Sequence, residues 1–172
     1  MVFKKFLPNE YVKDIFCIKP EKLKEKGIKG IITDLDNTLV EWDRPEATPE
    51  VIDWLSTMKE AEILVTIVSN NHAERVEAFC KPLGIPFVSR ARKPLNSPFI
   101  RALDMMEVKK EEVVVIGDQL LTDILGGNRK GLHTILVVPV ASSDALITRF
   151  NRMFERRIMA GFKRRGLITW EE

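Results

Sequence analysis

The sequence predicts an α/β fold: a Rossmann-like, doubly wound parallel sheet of about five strands, covered by helices on both faces. Three observations carry this expectation. Short apolar runs at residues 28–33, 63–68, 113–116 and 134–138 read as buried strands. Segments of helical periodicity lie between them, joined by short polar turns. Polar residues of chemical interest collect just after the runs, where open parallel sheets gather their functional groups beside the point at which strand order reverses.

Each element has its own signal. Residues 20–26 predict a short helix closed by Gly27, a usual residue just past a helix end. The first strand runs into Asp34, and residues 40–49 are polar with two prolines, hence a loop. Pro49-Glu50 opens an amphipathic helix whose inward face is expected to be Val51, Ile52, Leu55 and Met58. Residues 63–68 form the second strand, ending at Ser69-Asn70-Asn71. Asn71, with Glu74 three places on, has the spacing of a helix N-cap and capping box. Gly84 ends that helix, and residues 85–88 form a short third strand placed at an edge by Pro86. A helix over 97–106, a fourth strand over 113–116, a helix over 122–130 with Gly131 past its end, and a fifth strand over 134–138 complete the pattern. Residues 1–172 are expected to form one domain, with 144–165 as a basic amphipathic helical element.

Composition bounds the function. A chain of 172 residues, 45% hydrophobic and 30% charged, suits a globular protein with a real core rather than a disordered or membrane-spanning one. The apolar runs are strand-length, and the opening residues lack the apolar stretch of a secretory signal. Cys17 and Cys80 match no metal or redox spacing and read as small buried hydrophobes. A cytoplasmic location is the default. Net charge is only +2, but between Arg149 and Arg165 seven bases face a single acid, Glu155. The rest of the chain is therefore net acidic, and the tail is a separate electrostatic object.

The chemistry concentrates in two acidic clusters. Asp34-Leu35-Asp36-Asn37-Thr38-Leu39 follows one strand, and Gly117-Asp118-Gln119-Leu120-Leu121-Thr122-Asp123 follows another. Unpaired carboxylates are costly at the end of a buried strand, and a divalent cation with hard oxygen ligands compensates them. Ser69 and Asn70 end a third strand, and Lys93 lies in a loop on the way to the fourth. Carboxylates, a hydroxyl, an amide and an ammonium on one sheet edge fit phosphoryl transfer, in which cations neutralise the phosphate while a carboxylate attacks phosphorus.

These pieces resemble the four motifs of the haloacid-dehalogenase-like (HAD) phosphohydrolases. Asp34-Leu35-Asp36-Asn37-Thr38-Leu39-Val40 matches the D-x-D-x-T pattern, followed in order by Ser69, by Lys93-Pro94, and by Gly117-Asp118 with Asp123. Residues 40–62 and 71–92 are too short for the inserted cap domains of larger members, so the chain resembles the capless type III members. It is similar to the small YqeG-type phosphatases, whose relatives include mitochondrial phosphatases acting on phosphatidylglycerophosphate. The resemblance implies that Asp34 is the nucleophile and that Asp36 is the general acid and base. It implies Mg²⁺ held by the Asp34 carboxylate, the Asp36 main-chain carbonyl and Asp118, with Asp123 orienting a metal-bound water. Ser69, the amides near Asn70, and Lys93 would hold the phosphoryl oxygens, and Thr38 would tune the position of Asp36.

Other residues carry less. His72 and His133 lack metal-ligand spacing; ordinary roles are expected in a first helical turn and at a strand start. Trp42 has two readings, overhanging the site or folding back as a plug. Arg90 and Arg92 flank the Lys93 turn and are either solvated or useful to a second phosphate. Leu146, Ile147, Phe150, Met153, Phe154 and Ile158 recur at helical spacing among the tail arginines. That helix packs on the sheet, or meets an anionic membrane with Phe162 and Lys163-Arg164-Arg165 reaching the headgroups, or contacts RNA phosphates.

The leading expectation is a Mg²⁺-dependent phosphomonoesterase acting on phosphatidylglycerophosphate or another phosphorylated lipid headgroup, with peripheral membrane contact. The alternatives are a phosphatase of a soluble small molecule, and a non-catalytic module binding RNA or membrane through the tail. The paired Asp34 and Asp36 disfavour the last. A phospho-receiver domain also clusters acids with a lysine, but its acceptor aspartate ends the third strand, where this chain has Ser89-Arg90.

Overall fold

Branched aliphatic residues fill the centre of the sheet, and the functional loops hang from its carboxyl edge. A computed structural model describes residues 2–141 and 146–168. The strands are β1 (Glu10–Val12), β2 (Gly30–Thr33), β3 (Leu64–Val68), β4 (Phe87–Val88), β5 (Val113–Gly117) and β6 (His133–Val137). All pair in parallel, in the order β1-β6-β5-β2-β3-β4. After β2 the chain builds outward through β3 and β4, then returns to β5 on the opposite side. The reversal point therefore lies between β2 and β5, where such folds place their ligands. Thr33 pairs with Ile116, so Asp34, one place on, and Asp118, two places on, leave the sheet from adjacent strands.

Helices α1 (Pro20–Glu25), α2 (Pro49–Glu60), α3 (Ala73–Cys80), α4 (Asn96–Met106), α5 (Leu125–Lys130) and α6 (Leu146–Arg164) accompany the sheet. Strand alternation divides the core in two. Ile31, Val114 and Ile67 pack with Trp54, Met58 and Phe79 on one face; Ile32, Val115 and Val68 pack with Phe99, Ala102 and Met106 on the other. Thr48 caps α2 by accepting the Val51 N–H at 3.2 Å, and Pro49 supplies the first turn.

The sheet has six strands where about five were expected. The additional strand is β1, whose three residues carry no apolar run. Side-chain contacts of Asn9 fix it beside β6: its amide oxygen accepts the Thr134 N–H at 2.8 Å. On α2 the buried residues are Val51, Trp54 and Met58, while Ile52 faces outward at 41% exposure and Leu55 is half-buried. Trp54 can be buried because its indole N–H donates to the Ile18 carbonyl at 3.1 Å. The N-cap of α3 is His72, not Asn71: the His72 ring nitrogen accepts the Arg75 N–H at 3.3 Å. His133 does open β6 and pairs with Glu10 at 2.6 Å. Cys80 is buried, with its thiol pushed up to about 12 by desolvation, whereas Cys17 is exposed. Where a helix over 122–130 was expected, a wide π-helical turn (Leu120–Ile124) precedes α5.

The tail helix spans Leu146–Arg164; residues 144 and 145, and the side chains of Leu146, Ile147 and Arg149, lie outside the described residues. Its inward side includes Ile158 and Met159, packed against Leu120, Ile124 and Leu136, and the fully buried Phe162. Phe162 meets Phe3 edge-on at 6.3 Å, so it is a core residue and does not reach outward. No helix among the described residues is long and apolar enough to cross a membrane.

Two helical glycines should respond oppositely to alanine. At Gly126 a Cβ would meet the buried Phe99 ring at 2.4 Å, so crowding of about 1–3 kcal/mol outweighs the helix-propensity gain of about 1 kcal/mol. At Gly161 the nearest atom is 3.9 Å away, an ordinary contact, so the propensity gain stands. Urea unfolding should show Gly126→Ala destabilised and Gly161→Ala stabilised by about 0.5–1 kcal/mol.

Candidate active site

The loop after β2 is wound tightly. Asp34 continues the strand by donating its N–H to the Ile116 carbonyl at 3.0 Å. Asn37 then adopts the left-handed conformation (φ 61°), which asparagine tolerates better than most residues. Its N–H reaches the Val40 carbonyl at 2.7 Å, and the Leu39 N–H reaches Leu35 at 3.0 Å. The coil keeps Asp34 and Thr38 at the carboxyl edge of the sheet. One Asp34 oxygen accepts the Leu35 N–H at 2.8 Å and lies 3.0 Å from the Lys93 ammonium.

The loop after β5 supplies the facing carboxylates. Asp118 is buried beside Thr38, whose hydroxyl donates to it at 2.8 Å. Thr38 thus supports Asp118 rather than Asp36, to which the resemblance had assigned it. Asp123 folds back from the π-helical turn over the end of β5 to pair with Lys93 at 2.6 Å and to accept the Gln119 N–H at 3.2 Å. This return requires Gly117: any Cβ there would lie 2.2 Å from the Asp123 carboxyl carbon. Asn70 positions the lysine through its backbone, accepting the Lys93 N–H at 2.7 Å and donating to the Lys93 carbonyl at 3.2 Å. Ser69 is buried, and its hydroxyl accepts the Asn71 N–H at 3.1 Å.

Asp36 sits at the rim in a clasp from α3 and the turn before it. Asn71 donates to one oxygen at 2.9 Å; Arg75 reaches the other from Nη2 at 3.1 Å and from Nε at 3.3 Å. A further nitrogen of Arg75 donates to the Pro45 carbonyl at 3.1 Å, tying the loop after the first motif to α3. Neither residue was foreseen as part of the site. Their position just after Ser69-Asn70 was a readable signal, since it puts both at the start of α3 beside the carboxyl edge of the sheet. Arg152 and Glu155 of α6 had no such local signal. Arg152 donates to the Asp118 carbonyl at 2.6 Å, pairs with the Asp118 carboxylate, and pairs with Glu155 at 3.0 Å. Trp42 is 38% exposed, with its main-chain N–H donating to the Asn37 side-chain oxygen at 3.3 Å, and Arg90 and Arg92 are exposed.

Burial and mutual repulsion set the electrostatics. Desolvation, then the neighbouring Asp34 charge, push Asp118 up to about 6 against the opposing pull of Arg152 and Thr38. Asp123 is pushed up to about 7 by burial, with Lys93 opposing and Asp34 and Asp118 reinforcing the rise. The same combination raises Asp36, where burial is the largest cause and Asn71 and Arg75 oppose it. Lys93 is held in its charged form by Asp123 and Asp34 despite complete burial. One oxygen from each of Asp34, Asp118 and Asp123 lies within 4.8 Å of the others. Three buried carboxylates in such proximity are a donor set that fits a hard divalent cation.

Comparison with known proteins agrees with this geometry. A family model described as "haloacid dehalogenase-like hydrolase" matches residues 19–131. The chain belongs to that family. This HAD-like hydrolase is 67% identical to "Probable phosphatase YqeG" of Bacillus subtilis (strain 168) over 172 residues, the full length of both chains. It is 29% identical to "Phosphatidylglycerophosphate phosphatase 1, chloroplastic/mitochondrial" of Arabidopsis thaliana, a match covering 94% of this chain and 49% of that one. It thus spans about half the length of that plant relative. Among solved structures, an uncharacterized protein of Listeria monocytogenes serotype 4b shares the fold (TM-score 0.55, 20% identity, 69% of this chain and 85% of that one). So does the 3-deoxy-D-manno-octulosonate 8-phosphate phosphatase of Yersinia pestis (TM-score 0.51, 16% identity, 70% and 76%). The HAD-like hydrolase is a phosphatase, a hydrolase of phosphoric monoesters.

The raised carboxylates give a pH prediction. Asp118 and Asp123 bind protons more tightly folded than unfolded, where the ordinary value is about 3.9. The folded state thus holds more protons between that value and about 7, and stability falls as pH rises through this window. Thermal unfolding in chelator should show a midpoint that drops from pH 5 to pH 8. A saturating divalent cation should remove most of the drop; a midpoint rising over that range in chelator would contradict the assignment.

Proposed function

We propose that this phosphatase is a Mg²⁺-dependent hydrolase of a phosphomonoester on a membrane lipid headgroup, working through an aspartyl-phosphate on Asp34. The observation that carries the chemistry is the placement of the Asp34 carboxylate at the sheet's reversal point, 3.0 Å from the buried Lys93 ammonium. The Asp34 carboxylate attacks phosphorus, and the ester oxygen leaves with a proton from the Asp36 carboxyl. Asp36, now ionised, takes a proton from water as that water attacks phosphorus. The P–O bond to Asp34 breaks, releasing inorganic phosphate and restoring the starting carboxylates. Desolvation of Asp36 supports its role as acid, because burial raises its proton affinity and so favours the protonated form that donates. Asn71 and Arg75 fix the orientation of that carboxyl group.

Ser69 and the main-chain amides near Asn70 would contact the phosphoryl oxygens together with Lys93. Asp34, the Asp36 carbonyl and Asp118 would hold Mg²⁺, with Asp123 supporting the site through Lys93. Bound there, the ion would neutralise charge developing on the phosphoryl oxygens. We read the whole chain as one catalytic unit, with α6 its membrane-facing element.

The lipid part of the proposal rests on α6. Phe150, Met153 and Phe154 are 72%, 45% and 52% exposed, among the exposed bases Arg156, Arg157, Lys163, Arg164 and Arg165. Glu155, the single acid of this stretch, is buried and committed to Arg152 and the Leu121 N–H. Apolar side chains among bases on the described part of a helix whose one acid is turned inward suit an anionic bilayer. The relatives that carry phosphatidylglycerophosphate phosphatase in their names support the same substrate class.

Asp34→Asn should fold normally and lose phosphate release by at least about three orders of magnitude, the scale for removing a covalent nucleophile. Unchanged release by the purified variant would refute the covalent route. Wild-type turnover should stop in EDTA and return with added Mg²⁺. In a panel of phosphatidylglycerophosphate and soluble phosphoesters, preference for a soluble ester would refute the lipid assignment.

The membrane contact has a separate assay. Co-sedimentation with anionic vesicles should be strong at low salt and weaken as salt screens the bases. Phe150→Ser with Phe154→Ser should reduce vesicle binding while sparing hydrolysis of a small soluble ester. Undiminished binding by the double variant would exclude this face.

A further inference from the structure

The cation nearest Asp118 comes from outside the region that matches the family. The family model matches residues 19–131, whereas Arg152 belongs to α6. Its guanidinium pairs with the Asp118 carboxylate and donates to the Asp118 main-chain oxygen at 2.6 Å. The Arg152 side chain is 14% exposed and that of Asp118 fully buried, so water screens the pair weakly. The other Asp118 oxygen accepts the Thr38 hydroxyl at 2.8 Å. Lys93 already serves Asp34 and Asp123. The three carboxylates of the triad thereby share two cations that the chain itself supplies.

Among the described residues, α6 is held in two ways. Its C-terminal half is anchored by Ile158, Met159 and Phe162 in apolar packing. Its exposed N-terminal part, with Phe150, Met153 and Phe154 turned outward, is clasped through Arg152 to Asp118 and through Glu155 to the Leu121 N–H at 3.4 Å. Losing the clasp would free that part and leave the anchor in place.

We propose that Arg152 is a positioning residue that sets the metal affinity of the site by competing with the divalent cation for Asp118. This rests on the reading of Asp118 as a metal ligand. With Arg152 seated, Asp118 keeps its place but carries a fixed positive charge beside the position a dication must take. With Arg152 withdrawn, the carboxylate is available and the N-terminal part of α6 is loose. Metal binding and clasping of α6 therefore oppose each other, and by linkage the opposition is reciprocal. An anionic surface that draws the bases of α6 outward favours the withdrawn state, so it raises metal affinity through Arg152.

The test is Mg²⁺ binding by isothermal titration calorimetry at low ionic strength, with the purified full chain as wild type, Arg152→Lys and Arg152→Gln. Arg152→Gln should bind Mg²⁺ at least about tenfold more tightly than wild type, and Arg152→Lys should fall between them. A second measurement needs no variant: Mg²⁺ should speed amide hydrogen exchange in residues 150–157 of the wild type and leave residues 158–164 unchanged. Equal or weaker Mg²⁺ binding by a folded Arg152→Gln, or wild-type exchange in 150–157 that Mg²⁺ leaves unchanged or slows, overturns the competition while the metal site stands. Absence of Mg²⁺ binding by all three proteins overturns the metal reading together with the proposal.

Discussion

Three carboxylates gathered at the end of two adjacent buried strands repel one another, and much of the surrounding structure answers that repulsion. Lys93 lies between Asp34 and Asp123, and Asn70 grips its backbone from both sides so that the ammonium arrives in one place. Gly117 leaves room for Asp123 to fold back over the strand end. Thr38 and Arg152 take the two oxygens of Asp118. Removing one member would leave a buried charge uncompensated, which costs more than an intact pair contributes. The cluster is also where the proton affinities of the acids are most disturbed, the usual mark of a site organised for chemistry.

Much of this was legible in the sequence because it is local. The runs behind β2 and β5 are apolar enough to be buried on both faces, and the D-x-D-x-T coil needs only seven consecutive residues, 34–40. What escaped depended on distant partners. Strand β1 has no apolar signature and exists because Asn9 bonds to Thr134, which is 125 residues away. Asn71 was the expected helix cap, but its side-chain oxygen accepts the His72 N–H while its nitrogen donates to Asp36, and the His72 ring caps α3 instead. On α2, apolar spacing alone did not separate Ile52 from Trp54; the Ile18 carbonyl, which accepts the indole N–H, favours the tryptophan. Arg152 reads in sequence as one more base in a basic tail, and its contact with Asp118 spans 34 residues.

The tail illustrates how a residue count misses function. Seven bases in a short stretch look interchangeable on paper. In the fold, Arg152 turns inward with Glu155, Arg165 lies 5.4 Å over the Phe3 ring, and Arg156 and Arg157 face outward. Inward-facing charge fixes geometry, while outward-facing charge acts at longer range and fades with salt. With Glu155 turned inward, the charged side chains described on the exposed side of α6 are bases, so the two roles coexist on one helix.

The short connections after β2 and β3 carry a loop, α2, α3 and β4, with no covering domain inserted. Many phosphoryl-transfer enzymes close a lid to expel solvent before bond breaking, and the polarity of the closed chamber is then a property of the protein. Here the outer wall of the reaction chamber is left to whatever the open edge rests against. Pressed to a bilayer, the phosphoester would react in a medium bounded by lipid; free in solution, it would react in one bounded by water. For an uncovered catalyst, the medium around the reacting bond would then be set by its surroundings as well as by its own residues.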